Sequence, residues 1–498
     1  MQADTQGRLR SARPLFIQAP PELAAALEDY RRVLHTAHPL KTKHGAGLPN
    51  DVKRLSLALT AERGPGPQAN YLSSPANLSA YLYYFLPWNI YRVSRLLHGL
   101  ALDLPEGSSV LDLGCGPLTL VQALWIARPQ LRTRRLRFVC LDQTGSVMRA
   151  GKALFEALAG EAGQAWSIEL VQGPLHKAPQ GPFQLVTALN ALNELAGGRG
   201  EEGRDALDRV AEALTGRLAA DGRLLLVEPG TRLGGGLLSR LREALMEEGL
   251  FPQAPCTHDA PCPMLAPRWR SWCHFTFPAE GIPAWLARLS DYADLEKDRV
   301  SLAFLLMSGE QPEYKDVNSR VVSHRFALPG GQGVYACAED GIRLMTFVQP
   351  PRGLLSGALV EAELPESPMR DPKTGAWVCP LVAAAPGEAR GQQPSEMPGG
   401  PAREAAAQQP KSQTGERKPH GAGAPGRPAR PGRPGPAKSG PAKSGPAKSG
   451  PAKAGPGKAG PAKSDPAKAG PGKAGPAKSG PARAGSGRPK GSRGQRGK

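Results

Sequence analysis

Residues 108–124, "SSVLDLGCGPLTLVQAL", are typical of a short apolar strand, a glycine-rich turn and the start of a helix. The turn contains Gly114, Cys115 and Gly116, and Asp112 lies just before it. A ligand can come close to the backbone at such a turn, because glycine has no Cβ atom. The stretch therefore predicts a nucleotide-like binding site where this strand passes into its helix.

A second strand follows in "LRFVCLDQT" and ends at Asp142, 26 residues after Gly116. An acidic side chain at that point of a doubly wound sheet can accept hydrogen bonds from both ribose hydroxyls of a nucleoside. Two further apolar runs, 183–195 and 221–231, end in polar residues, namely Asn190, Asn193 and Glu194 in one and Glu228 in the other. Strands and helices that alternate in this way predict an α/β fold with a parallel sheet, whose site lies at the carboxyl ends of the strands.

The turn resembles that of class I S-adenosylmethionine (SAM)-dependent methyltransferases, which have a Rossmann-like fold. Dinucleotide dehydrogenases usually carry a third glycine, and Thr119 stands at that position here. The resemblance implies SAM as cofactor, with Asp112, Gly114, Cys115, Gly116, Asp142 and Asn190 around it. Within the turn, Cys115 is expected to be a packing residue rather than a nucleophile.

No catalytic residue can be assigned from the sequence. The Asn/Asp-Pro-Pro-aromatic turn of amino-group methyltransferases is replaced by "LNALNELAGG", and no Pro-Cys nucleophile ends the fourth strand. Methyl transfer mainly requires alignment of donor and acceptor, so an enzyme is still possible. The alternative is a methyltransferase-like sheet that serves only as a scaffold.

Three cysteines lie in residues 254–275, "APCTHDAPCPMLAPRWRSWCHF". Cys256, Cys262 and Cys273 are kept out of regular structure by four prolines, and thiolates on such a loop suggest a metal site. Zinc could complete its coordination with His258 or His274, whereas a 4Fe-4S cluster usually needs a fourth cysteine. Three buried small side chains are the non-metal alternative.

A fourth metal ligand could come from one of the remaining cysteines, which are not equally suited to that role. Cys337 precedes an Asp-Gly turn at a hairpin position that could direct its thiolate back to the loop. Cys379 is the weaker candidate, and Cys140 is expected in the core of the second strand.

The 498-residue chain has a formal net charge of +19, and its basic excess lies at the C-terminal end. Residues 411–498 contain 21 Lys and Arg against 2 Asp and Glu, so residues 1–410 are balanced. From Pro436 to Gly485 a five-residue repeat places a cation in each unit, and its regular prolines exclude helix and sheet. The repeat predicts a disordered arm that binds nucleic acid through phosphates, or else a solubilising tail.

Seven cysteines at irregular spacing do not suggest disulfides, and no apolar run reaches the roughly 18 residues of a membrane span. We therefore expect a soluble protein from a reducing compartment. Apolar spacing in residues 20–37 and 79–102 predicts helices in the N-terminal region.

The order of a helical leader, "VLDLGCGPLTL", "NALNEL", "LVEPGT", the cysteine block and a distant cysteine before Asp-Gly is similar to the methyltransferase-like family of the mitochondrial small ribosomal subunit and its bacterial relatives. The similarity spans roughly residues 30–350. It implies a 4Fe-4S cluster held by Cys256, Cys262, Cys273 and Cys337, and contact with ribosomal RNA during assembly of the small subunit. A bacterial cytoplasmic member is favoured over a mitochondrial one, because Asp4 and weak amphipathicity argue against a presequence.

The predicted organisation has four parts: an N-terminal helical region (1–95), a methyltransferase-like domain (96–312) with its metal loop (252–275), a small β extension (313–385) and a disordered tail (386–498). The favoured function is a monomeric, SAM-dependent rRNA methyltransferase of the small subunit. The alternatives are a non-catalytic 4Fe-4S assembly factor and a redox or iron sensor.

Overall fold

The computed structural model describes residues 6–383, except positions 19, 41, 61–70, 175–176, 193–200 and 316. Its first element is a strand, β1 (Gly7–Arg13). Helices follow, with a π-helical turn at Tyr81–Phe85 between the third and the fourth: α1 (Pro21–Ala37), α2 (Thr42–Thr60), α3 (Pro75–Ala80) and α4 (Leu86–Gly99). The predicted helices at 20–37 and 79–102 are confirmed.

The central sheet has eight strands in the order β4-β3-β2-β5-β6-β9-β7, with β8 also paired to β9. Within this sheet, β2 to β6 run parallel to one another, and β9 is antiparallel to its neighbours. The strands are β2 (Ser109–Leu113), β3 (Leu136–Asp142), β4 (Trp166–Gln172), β5 (Phe183–Leu189), β6 (Leu218–Pro229), β7 (Phe251–Ala254), β8 (Phe275–Pro278) and β9 (Arg299–Ser308). The carboxyl ends of β2, β3, β5 and β6 therefore meet at one edge, as the sequence predicted.

Helices cover both faces of this sheet, which explains why its strands are apolar almost throughout. The helices along this part of the chain are α5 (Thr119–Ala127), α6 (Gly145–Ala159), α7 (Glu201–Thr215), α8 (Arg232–Glu247) and α9 (Ala284–Tyr292). One face packs apolar side chains such as Leu111 and Leu226 with those of α7 and α8. The other face, with Val110 and Phe138, packs against α1, α4 and α5.

A second sheet closes into a barrel. Its six-strand ring runs β1-β14-β10-β12-β13-β16 and returns to β1, with two short strands attached. The strands after β9 are β10 (Asn318–Val321), β11 (Phe326–Leu328), β12 (Gly331–Ala338), β13 (Gly341–Phe347), β14 (Leu359–Glu363), β15 (Met369–Arg370) and β16 (Trp377–Ala383). The interior holds small and medium apolar side chains, among them Leu9, Ala336, Met345 and Val360.

Strand β1 is a correction to the helical prediction for residues 1–95. Leu9 faces the barrel core, and the intervening Arg8 and Arg10 are exposed. This alternation is the two-residue period of a strand. It was missed because β1 pairs only with β14 and β16, which lie about 350 residues further along the chain.

The cysteine loop lies between two short strands that both pair with β9. β7 pairs with one end of β9, through Phe251 and Ser308, and β8 pairs with the other end, through Phe275 and Leu302. β7 ends at Ala254 directly before the loop, and β8 begins at Phe275 directly after it. Residues 255–274 therefore form an excursion between two strands that share one neighbour.

The central sheet and the barrel are in contact, and the described residues all belong to one compact unit. Arg320 of β10 donates from Nε to the carbonyl of Pro255 at 2.7 Å. The amide of Thr276 in β8 donates to Ser356 Oγ at 3.2 Å, and the rings of Trp269 and Tyr335 pack edge to face. The barrel is thus attached to the central sheet at the cysteine loop.

Candidate cofactor site and cysteine cluster

The glycine turn is held by hydrogen bonds to the neighbouring strand. The amides of Gly114 and Cys115 donate to the carbonyl of Leu141 at 2.8 and 3.0 Å. Gly114 has φ +66°, and a Cβ atom built on it would lie 2.4 Å from the Cβ of Ala191. Glycine is therefore required at 114 both by its backbone conformation and by the close approach of the loop after β5.

Asp142 lies at the end of β3, as predicted, with its carboxylate turned towards the glycine turn. The amide of Gly116 donates to Oδ2 at 3.0 Å, and the amide of Thr144 donates to Oδ1 at 2.8 Å. Burial raises the pKa of Asp142, and these amide bonds partly oppose the increase. A carboxylate has about four acceptor positions, and because the amide of Gln143 also acts on this group, about one position remains for a further hydrogen bond.

Asp112 lies beneath the turn and is fully buried. Its Oδ1 accepts a hydrogen bond from Thr187 Oγ1 at 2.9 Å, and its Oδ2 has no partner. Burial raises the pKa of Asp112 to about 7, against the opposing effect of the Thr187 bond. The pKa of this carboxyl group therefore lies near neutral pH, and its hydrogen bond to Thr187 joins β2 to β5.

Cys115 is 3% exposed and lies beside Cys140 of β3. Burial raises the pKa of the Cys115 thiol, and the neighbouring Cys140 adds to the increase. A buried thiol with a raised pKa is a poor nucleophile. The side chain packs within the turn, so any contribution of Cys115 to a ligand would come from its backbone.

The loop after β5 reaches the same edge. Asn190 has φ +55°, and its amide donates to the carbonyl of Val227 in β6 at 2.7 Å. The amide of Leu192 donates to Glu228 Oε1 at 2.9 Å, and Glu228 is fully buried. Glu228 thus anchors the loop, whereas Asn193 and Glu194 lie outside the described residues.

A cavity of about 270 Å³ opens next to Asp142. It is polar, and its lining residues come from the short helix before α3, the start of α6 and the end of β4: Ser73, Gln143, Thr144, Gly145, Ser146, Arg149 and Gln172. These residues were not identified from the sequence. Only Gln143, Thr144, Gly145 and Ser146 had a sequence signal, because they directly follow the predicted strand that ends at Asp142.

Three of the four cysteines implied by the family resemblance lie close enough to Cys337 to raise the pKa of its thiol, although Cys337 is 64 residues beyond Cys273 in the sequence. Burial raises the pKa of Cys262 to about 11, with Cys256 as the next cause. Burial also raises the pKa values of Cys273 and Cys337, and the charges of the neighbouring cysteines contribute to both. The predicted hairpin places Cys337 on β12, opposite Ile342 of β13.

Two buried arginines flank this cluster, and sequence analysis missed both. Arg242 on α8 is 2% exposed and donates to the carbonyls of His258 and Ala260. Arg320 on β10 is 9% exposed, and burial lowers its pKa to about 10, with Cys256 opposing the decrease. The only sequence signal for Arg242 was its place between Leu238 and Leu245 on the apolar face of α8.

His258 is 1% exposed, and its Nε2 lies 3.7 Å from Cys337 Sγ. Burial and the nearby Arg242 charge lower the pKa of His258 to about 4, so its ring is neutral at physiological pH. Within the described ranges, no three His, Cys, Asp or Glu side chains are placed to hold a metal ion. The structure therefore brings four thiols into one electrostatic environment without the compact geometry of a single-ion site.

A helix long and apolar enough to cross a membrane was not found in the described part of the chain.

The solved structures to which this chain is similar include several methyltransferases. A TehB-like SAM-dependent methyltransferase from Corynebacterium glutamicum is 15% identical, with a TM-score of 0.24, over 53% of this chain and 100% of that one. A methyltransferase from Pyrococcus furiosus is 12% identical, with a TM-score of 0.26, over 53% and 98%. Aeropyrum pernix fibrillarin, crystallised with natively bound SAM, is 16% identical, with a TM-score of 0.24, over 44% and 76%.

No curated protein matches the chain at a significant level. A family model, described as mitochondrial small ribosomal subunit Rsm22, matches residues 75–344. This span is slightly more than half of the 498 residues and includes the glycine turn, Asp142 and all four clustered cysteines. The chain belongs to the Rsm22 family.

Proposed function

We propose that this protein binds SAM and acts as a methyltransferase-like factor on the RNA of the small ribosomal subunit. The observation that carries the proposal is the convergence of the glycine turn, Asp142 and the loop at Asn190 on one edge of a doubly wound sheet, next to a polar cavity. Ligands of such sheets bind at this edge. The link to the small subunit comes from the family description.

The residues at this edge suit SAM. The turn at Gly114 and Gly116 permits close backbone approach, and the remaining acceptor capacity of Asp142 suits a ribose hydroxyl. Gln143, Thr144 and Gln172 offer polar contacts around the adjoining cavity. SAM would supply an electrophilic methyl group, and the chain would supply binding and alignment of the acceptor.

We also propose that Cys256, Cys262, Cys273 and Cys337 hold a 4Fe-4S cluster. Four cysteines are the usual ligand set of such a cluster, and the flanking Arg242 and Arg320 suit the negative charge of four thiolates. Zinc is the alternative. Four thiolates are also a common ligand set for a structural zinc ion, so the metal content of the protein decides between the two. When bound, the cluster would join the loop after β7 to the barrel hairpin.

The second candidate is a non-catalytic assembly factor that uses the methyltransferase fold as a scaffold. One observation favours it: both carboxylate oxygens of Asp142 already accept hydrogen bonds from the chain's own amides. A site that satisfies its own polar groups can persist without a ligand.

The two candidates can be separated by transfer of labelled methyl from SAM to immature small subunits, using anaerobically purified protein. For an enzyme, label enters the RNA and is lost in Asp142→Ala, whereas the control Asp221→Ala, at an exposed strand position, keeps it. Stable binding to the subunits without label would support the scaffold candidate. Absence of both binding and label would contradict the proposed function.

The role of the basic tail stays a prediction, because residues 386–498 lie outside the described residues. The monomeric state and the compartment also stay predictions. If the tail tracks RNA phosphates, deletion of residues 411–498 will reduce the salt dependence of RNA binding. An unchanged slope would leave it a solubilising segment. The family description names mitochondria.

A further inference from the structure

We call the sheet edge that carries Gly114, Gly116 and Asp142 the cofactor edge. We infer that an exposed surface between this edge and the cysteine cluster binds single-stranded RNA by stacking and phosphate contacts. This arginine–tryptophan surface consists of Arg232, Arg268, Arg270, Trp272 and His274. The inference rests on the proposed function and specifies where its RNA would be held.

The centre of the surface is a stack of planar groups. The guanidinium carbon of Arg232 lies 5.0 Å from the centroid of the Trp272 ring, and the His274 ring lies 4.9 Å from it at an interplanar angle of 25°. Trp272 and His274 are both partly exposed. Aromatic rings and guanidinium planes are the groups on which unstacked RNA bases pack.

The stack is held in place by its polar contacts. Trp272 Nε1 donates to the carbonyl of Gly230, directly after β6, at 3.0 Å. Arg232 Nη2 donates to the carbonyl of Arg270 at 2.8 Å, and His274 Nδ1 lies 3.0 Å from the carbonyl of Trp272. A surface that is ordered before binding loses little conformational entropy when it binds.

Glycine brings α8 close to this surface. A Cβ atom built on Gly235 would lie 2.4 Å from the carbonyl oxygen of Cys273 and 2.6 Å from Trp272 Cδ1. The first turn of α8, which starts right after β6, therefore packs directly on the segment that carries Trp272. This contact fixes the surface next to the edge where the cofactor would bind.

The charge of the surface suits a polyanion. Arg268 and Arg270 are exposed, and neither they nor Arg232 forms an ion pair within the described part of the chain. Arginines free of carboxylates can each neutralise a phosphate. Single-stranded RNA fits better than a duplex, because a duplex keeps its bases stacked and out of reach of the Trp272 platform.

Two exposed leucines border the surface and make a protein partner the competing occupant. Leu233 is 57% exposed and Leu265 is 42% exposed. Isolated apolar side chains of this kind are common on protein surfaces, whereas three unpaired arginines beside a stacked Trp-His pair are the stronger signal. RNA is therefore the occupant that we propose for this surface.

The test is binding of a fluorescein-labelled single-stranded RNA of about 16 nucleotides to the full chain, measured by anisotropy at several salt concentrations. The test variant is Arg268→Ala/Arg270→Ala. The control is Arg204→Ala/Arg209→Ala, two exposed arginines on α7 with the same change in net charge. All proteins keep the basic tail, so its contribution is common to them.

The test variant is expected to bind at least about tenfold more weakly than the wild type, with a salt slope smaller by about 1.4, or 0.7 for each lost phosphate contact. The control should change affinity less than about twofold.

Arg232→Lys keeps the charge but loses the planar stack, so it should lower affinity about threefold or more with an unchanged salt slope. Equal losses in the two double variants, or no loss in the test variant, would overturn the inference. Metal content of each variant reports whether the cysteine loop has kept its structure.

Co-sedimentation with small subunits separates this inference from the proposed function. Loss of subunit binding by the test variant without loss of RNA affinity would assign the surface to a protein partner and overturn the inference. Wild-type protein that binds RNA through Arg268 and Arg270 but never binds small subunits would contradict the proposed function and leave the inference supported.

Discussion

The cofactor edge and the cysteine cluster are built in opposite ways. At the cofactor edge, Gly114, Gly116 and Asp142 lie on consecutive strand ends and are connected by hydrogen bonds at or below 3.0 Å. The cluster combines a loop between β7 and β8 with Cys337 from a barrel hairpin. The first site is complete once the parallel sheet has formed, whereas the second exists only when two sheets have packed together. A substitution of one of the four cysteines should therefore separate the barrel from the central sheet. A substitution at the cofactor edge should leave the two sheets packed together.

The largest effect is expected for Cys337→Ser. Loss of one of four thiolates should prevent cluster binding and lower stability on the order of 5 kcal/mol or more, because binding energy of a structural metal site is folding energy. Cys379→Ala is the matched control, since Cys379 is buried in the same barrel but is not among the four clustered cysteines. Thermal unfolding and limited proteolysis of the barrel measure the difference. Equal melting temperatures for the two variants would contradict a structural role of the cluster.

At the cofactor edge, Gly114→Ala should be more damaging than Gly116→Ala. Both residues have positive φ, which costs alanine about 1–2 kcal/mol. Only at Gly114 would the new methyl group meet another atom, Ala191 Cβ at 2.4 Å, which adds about 1–3 kcal/mol. Chemical denaturation gives the stabilities, and metal content should be unchanged in both variants. Loss of the cluster in Gly114→Ala would show that the two regions are not independent.

The buried Asp112 predicts that stability depends on pH at the cofactor edge. Its pKa rises from 3.8 in the unfolded chain to about 7 in the folded protein. The folded state therefore holds a proton that the unfolded state releases, and this stabilisation is complete below pH 4 and is lost as the pH rises through 7. Between pH 5 and 8 the loss is roughly 2–3 kcal/mol. Asp112→Asn should flatten this part of the stability profile, and an unchanged profile would mean that Asp112 is ionised in the folded protein.

The smallest effects are expected for substitutions on α8, where the helix packs against the cysteine loop. Gly235→Ala should cost about 1–3 kcal/mol and lower metal content, because its methyl group would press on the Cys273 carbonyl at 2.4 Å. Gly236→Ala is the neighbouring control. Its nearest atom is Arg240 Nη1 at 3.7 Å, so the better helix propensity of alanine should stabilise it by about 0.5–1 kcal/mol. Effects of the same sign and size would show that α8 does not pack against the loop as described.

The comparison also explains what could be predicted from the sequence. The parallel strands β2, β3, β5 and β6 and the place of Asp142 follow from local apolar runs, whereas β4 was not identified. The approach of Cys337 to the loop was suggested by its hairpin position before an Asp-Gly turn, and the family resemblance added the 4Fe-4S ligand set, whereas spacing alone left zinc and non-metal alternatives open. Strand β1, Arg242 and Arg320 were missed, because β1 pairs with strands more than 300 residues away and the two arginines are buried only by the packing of α8 and the barrel.

The central claim is that one four-cysteine cluster joins the two sheets, and its most direct test is the metal content of the anaerobically purified full chain. The account predicts about four iron atoms and four acid-labile sulfides per chain, both lost in Cys337→Ser and retained in Cys379→Ala. One zinc ion per chain without iron, or no metal together with an unchanged melting temperature in Cys337→Ser, would contradict it.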